Sequence, residues 1–185
     1  MPQNRTRKIV ITGVLGAISV LLGLTHWGFI PWPTQIALTF MHVPVIIGAI
    51  LEGPWVGVGI GFIFGVFSLI QGIIAPTGSN DLPFANPLLS ILPRLFIGPI
   101  AWLAWKALRR WNIFALITAG IAGSLTNTVL VLGMFVILRL LTLPIALYIA
   151  ATNGLPEAVL AAILTLAVVA AWRQIRIGGR KGANL

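Results

Sequence analysis

Residues 41–70 read MHVPVIIGAILEGPWVGVGIGFIFGVFSLI. Two apolar runs meet there at a short turn, Glu52-Gly53-Pro54. The second run continues from Trp55 to Ala75, long enough for a membrane helix, which needs about 20 residues. The first, His42 to Glu52, is too short by itself and must either borrow residues before His42, giving a span over about 38–53, or stay short and tilted. Two apolar helices joined by a Gly-Pro turn make a membrane hairpin, and the rest of the chain extends it. Further apolar runs cover about residues 9–25, 87–105, 113–138 and 155–172. The expected architecture is therefore an all-α membrane bundle of six transmembrane helices, with residues 1–185 forming a single membrane domain.

Composition agrees. The 185 residues are 58% apolar and 8% charged, against roughly 45–50% and about 25% in a soluble domain. So few charges cannot cover a water-soluble surface. There are no cysteines, which excludes disulfides and thiol chemistry. The net charge of +9 comes from 12 Lys+Arg against 3 Asp+Glu. In a membrane protein that excess first reports topology rather than nucleic-acid binding. The basic residues cluster at Arg5, Arg7 and Lys8, at Lys106, Arg109 and Arg110, and at Arg173, Arg176, Arg180 and Lys181. Four spans separate the first cluster from the second, and two separate the second from the third. All three clusters, and both termini, are thereby placed in the cytoplasm. The N-terminal run lacks a clear small-x-small cleavage site and reads as a retained first helix.

Three connections then face outward: His26–Met41 with HWGFIPWP, Pro76–Asn86 with PTGSNDLPFAN, and Arg139–Gly154 ending in TNG. Long Pro/Gly-rich loops carry function more often than short ones, so the ligand-facing side is the outer one. Enzymatic motifs are missing. There is no G-x-x-x-x-G-K-[ST] phosphate loop, no H-E-x-x-H and no G-x-S-x-G. His26 and His42 stand 16 residues apart. No enzyme activity, metal or resident cofactor is expected.

Arg94 is the most informative residue. It sits in NPLLSILPRLFIG, about two turns into the fourth run. A charge at that depth costs at least about 2.5 kcal/mol on insertion scales and faces a cavity or a partner. It is either a clamp for a ligand carboxylate or phosphate, or half of a structural ion pair with Glu157 at the start of the sixth run. Glu157 has the same choice: ion pairing, a ligand hydroxyl or amide, or complementing a helix N-terminus. Asn127 lies mid-span and must bond a helix, water or ligand, and Gln71 occupies the outer part of the third run. Asn86, before Pro87, has the form of a helix N-cap, and Asn153 that of a cap for the sixth span. Trp27 on the first outer loop can stack on a ring or anchor at the interface. Gly13 and Ala17 form a small-xxx-small pair that admits a close helix.

The runs ITGVLGAISVLLG, MHVPVIIGAILEGPWVGVGIGFIFGVFSLI and NPLLSILPRLFIGP resemble the substrate-binding S components of energy-coupling factor (ECF) vitamin transporters. The resemblance covers residues 7–108 most closely. It implies six helices in the cell membrane, a small water-soluble vitamin bound near the outer face, and docking on a transmembrane T component that carries two ATPases. The family's docking motif on the first helix falls at Gly13 and Ala17 here, with Gly in place of Ala. NPLLSILPR is most similar to the pantothenate-type branch. Riboflavin, pyridoxine and cobalamin carriers share much of the framework. A self-contained secondary transporter is the competing class, for which inverted repeats and coupling-ion ligands would be expected.

The charge pattern makes a direct prediction. Single cysteines at Ser79 and at Asn112 will react with an impermeant thiol reagent from opposite sides of the membrane. Equal labelling of both from outside would contradict the six-span arrangement.

Overall fold

The computed structural model describes residues 2–30, 38–76 and 82–173. The helices are α1 (Pro2–Leu24), α2 (Val43–Glu52), α3 (Pro54–Ile74), α4 (Pro87–Ser90), α5 (Leu92–Leu108), α6 (Asn112–Ile137), α7 (Leu143–Ile149) and α8 (Leu155–Trp172). A 3₁₀ turn, Leu82–Ala85, precedes α4, and a π-helical turn, Ala150–Gly154, joins α7 to α8. Two short antiparallel strands, β1 (Phe29–Ile30) and β2 (Leu38–Thr39), lie between α1 and α2, with Phe29 opposite Thr39. The result is an all-α membrane bundle with five helical segments of spanning length and one shorter apolar helix.

Three places differ from the reading of the sequence. Residues 38–39 of the expected second span belong to a strand, and α2 has only ten residues. That is about 15 Å, half the thickness of a hydrocarbon core. Val43 through Ile50 are all buried, so α2 is a core helix wrapped by the others. The fourth span is broken at Ile91 into α4 and α5. Finally, most of the expected loop Arg139–Gly154 is helical: the segment Leu143–Trp172 is one interrupted helix of 30 residues. Pro144 at its first turn starts that helix without losing an internal hydrogen bond, and the apolar LPIALYIAA sequence sustains it.

The hairpin at residues 52–54 forms as its chemistry requires. Gly53 has φ 102°, which strongly favours glycine, and Pro54 opens α3 at a position where its missing N–H costs nothing. The seam between α3 and α5 is closed by backbone. A Cβ on Gly98 would lie 2.6 Å from the Gly57 Cα, and one on Gly61 would collide with the Arg94 carbonyl. The core around this seam contains Val45, Ile46, Ile50, Ile60, Phe64, Ile97, Ala101 and Leu116.

Arg7 and Arg173, the described members of the first and third basic clusters that make contacts, lie at one end of the bundle. Arg7 Nη2 pairs with Glu52 Oε1 at 2.7 Å. Arg173 Nη2 donates to the Ile50 carbonyl at 2.8 Å, and its guanidinium lies 4.9 Å from the Trp105 ring centroid. The ends of α1, α2, α5 and α8 that carry charge therefore share one side, the cytoplasmic one by the positive-inside rule. Arg176, Arg180 and Lys181 lie outside the described residues, as do Trp32, Ser79 and Asp81.

The glycine seam generates a contrast. Gly61→Val will lower the melting temperature, at a cost of about 1–3 kcal/mol typical of overpacking. Gly13→Val, at a surface position with nothing within 4 Å of a Cβ, will leave it within experimental error. Melting of both purified variants in detergent checks this.

Candidate functional site

The end of the bundle opposite the basic clusters collects buried polar side chains from α2, α5, α6 and α8. Arg94 comes first. It follows Pro93, and a proline has no N–H to donate to the carbonyl four residues earlier. In this helix that carbonyl belongs to Leu89. Arg94 fills the gap itself: its Nη1 donates to the Leu89 oxygen. The guanidinium carbon lies 5.4 Å from the Phe64 ring centroid and 4.9 Å from that of Phe84. Phe84 is braced in turn, edge-on against Phe135 at 5.7 Å, while Ser90 Oγ donates to its carbonyl. Arg94 is 5% exposed, and its Nε has no hydrogen-bond partner.

Glu157 does not pair with Arg94. Its Oε1 accepts the Thr39 backbone N–H at 2.6 Å, and its Oε2 accepts from Thr128 Oγ1 at 3.5 Å. The carboxylate thus ties strand β2 to α6 and α8. Of the two alternatives for Arg94, the ion pair with Glu157 is absent among the described residues: the carboxylate is taken by Thr39 and Thr128, and Arg94 Nη1 by the Leu89 carbonyl. Arg94 consequently has no carboxylate partner among them.

Asn127 and His42 complete the layer. Gly123 of α6 packs against α2: a Cβ there would meet Ile46 Cγ1 at 2.5 Å and Ala101 Cβ at 3.2 Å. The two helices run in opposite directions across the bundle. One turn outward from this contact, α6 therefore presents Asn127 and α2 presents His42. Asn127 is 8% exposed with Oδ1 unpartnered, and His42 is fully buried with both ring nitrogens unpartnered. Ser124 Oγ, beside Gly123, is also unpartnered.

The other expected residues fall elsewhere. Asn86 is the N-cap of α4, accepting the Leu88 N–H at 3.0 Å. Asn153 is buried inside the π turn and accepts from Thr152 Oγ1 at 3.2 Å. It does not cap α8, because the helix runs through it from α7. Gln71 is partly buried, two turns outward of Phe64 on α3. Trp27 is 79% exposed and apart from the layer. Gly13 and Ala17 face outward on α1, whereas Gly16 and Gly23 pack against Ile63 and against Phe67 and Met41. The sequence reading missed His42 as an unpartnered group of this layer and Phe64 as a neighbour of Arg94. A lone histidine opening an apolar run is the signal that was there to find.

A bundle of apolar helices with a guanidinium and several uncommitted polar groups buried at its outer end is the frame of a membrane solute-binding subunit. The chain belongs to the family of ECF transporter substrate-specific components, whose model matches residues 7–169. It is similar to the pantothenic acid transporter PanT of Lactococcus lactis subsp. cremoris, with 30% identity over 195 aligned residues, covering 95% of this chain and 98% of that protein. It is also similar to the pantothenate transporter PanT of Leuconostoc mesenteroides subsp. mesenteroides, with 34% identity over 146 residues, 74% of this chain and 72% of that protein.

Because Arg94 and Glu157 have separate partners, their mutations will be independent. The losses of unfolding free energy in Arg94→Met and Glu157→Gln will add in the double variant to within about 0.5 kcal/mol. A double variant markedly more stable than that sum would reveal the ion pair.

Proposed function

We propose that this chain is the pantothenate-binding subunit of an ATP-driven ECF importer. The observation that carries this reading is the unpartnered Nε edge of the Arg94 guanidinium, buried at the outer end beside two phenyl rings. A guanidinium offers five donors in a planar fork, and a carboxylate fills one edge with two parallel hydrogen bonds. Burial beside aromatic rings removes competing water, so an acid gains more there than at a surface. Asn127, with a free acceptor, stands on the neighbouring α6 for the uncharged part of the ligand. The names of the two relatives supply the particular acid.

Transport needs energy that this chain does not generate, since it has no phosphate loop. A transmembrane T component and two ATPases are the partners implied by the family. The outward face of α1 suits such a partner: Gly13 and Ala17 are exposed, and nothing lies within 4 Å of a Cβ built on Gly13. Small residues four apart let a partner helix approach closely.

Titration calorimetry on the purified chain, without nucleotide or partners, tests the ligand. Pantothenate will bind. Panthenol, which has an alcohol in place of the carboxylate, will bind roughly 10- to 150-fold more weakly, the equivalent of losing a charge-assisted hydrogen bond worth about 1.5–3 kcal/mol. Arg94→Met will erase that preference, and Arg94→Lys will restore it only in part, because Lys keeps the charge without the fork. Panthenol binding as tightly as the acid would overturn the clamp. For docking, Gly13→Leu will abolish co-purification with a T component while leaving pantothenate affinity unchanged.

A further inference from the structure

We infer that His42 is a ligand-contacting residue that, together with Asn127, reads a hydroxyl on the uncharged part of the substrate; this rests on the pantothenate reading above. The imidazole is fully buried, and neither nitrogen has a hydrogen-bond partner. Buried polar groups are almost always satisfied, so two orphaned ring nitrogens call for an explanation.

The local structure gives none. His42 occupies the N-cap position of α2, yet its side chain makes no capping bond. Only its carbonyl serves the helix, accepting from Val45 and Ile46. The backbone leading to it is nevertheless held from two sides. Thr39 N–H is bound by Glu157, and the Met41 carbonyl accepts from Ser19 Oγ at 3.1 Å. A ring placed this firmly and left without a partner fits a site awaiting one.

The donor and acceptor inventory narrows the chemistry. A neutral imidazole offers one donor and one acceptor, and the free Asn127 Oδ1 is an acceptor. A hydroxyl can donate to Asn127 Oδ1 and accept from the His42 N–H at once. The Ile46–Gly123 contact one turn deeper closes the layer beneath them. Arg94 on α5 holds the charged end, so the site would read an acid at one point and an alcohol at another.

The test uses the full chain with two probes: pantothenate, and 3,3-dimethylbutanoyl-β-alanine, which keeps the amide and carboxylate but lacks both hydroxyls. Wild type will favour pantothenate by roughly 5- to 100-fold, the range expected when buried polar groups lose their partner. His42→Leu will bind the two probes alike, through weaker binding of pantothenate. His42→Gln, which keeps a donor and an acceptor, will retain part of the preference. Without ligand, His42→Leu will melt no lower than wild type, because it removes orphaned polar atoms. Equal binding of both probes by wild type overturns the hydroxyl contact. Unchanged pantothenate affinity in His42→Leu, or a lower melting point with the preference intact, makes His42 structural. Failure of wild type to bind pantothenate at all sinks the functional reading itself and is distinct from either result.

Discussion

A guanidinium buried below the outer end of an apolar bundle constrains what surrounds it. Arg94 cannot be exposed to lipid without large cost, and among the described residues it has no acid beside it. The chain resolves this locally. Pro93 leaves the Leu89 carbonyl without its helical donor, and Arg94 supplies one. Two phenyl rings cover the remaining bulk with modest cation–π attraction. The group is held, but one edge is left open. A cation placed so is costly in a purely structural role and useful in a binding one.

The helices that hold this arrangement divide the labour. The α3–α5 seam, where backbone meets backbone at Gly57–Gly98 and Gly61–Arg94, fixes the depth of the guanidinium. Short, buried α2 carries His42 at its start and is tied at its other end to the basic side, where Arg173 donates to Ile50 and Arg7 pairs with Glu52. Glu157 joins the first outer connection to α6 and α8 through Thr39 and Thr128. Helix α1 is the least buried of the five segments of spanning length, which leaves its Gly13–Ala17 face available.

The class of fold was legible because hydropathy and charge act over whole helices. Five apolar runs and three basic clusters need no tertiary contact to be read. Local punctuation was also legible: Asn86 before Pro87 became a cap. What failed was whatever depended on packing. The run before His42 looked like the missing half of a span, yet β1–β2 pairing claims residues 38–39. The stretch before TNG looked like a loop, although its apolar residues continue a helix that tolerates a π turn. Arg94 stood out in the sequence, but its partners did not. The carbonyl freed by Pro93 follows from spacing alone, but two rings from different elements leave no pattern in composition or spacing.

The glycine seam has a consequence for how binding preferences diverge among chains built on this frame. Phe64 lies on the same helix as Gly57 and Gly61, and Arg94 on the same helix as Gly98. Any side chain larger than hydrogen at the seam separates two elements of the site together, shifting the guanidinium relative to the ring beside it. Geometry at the outer end is therefore encoded partly in glycines that offer no side chain of their own to a solute. Two proteins with identical site residues but different seam residues need not select the same molecule.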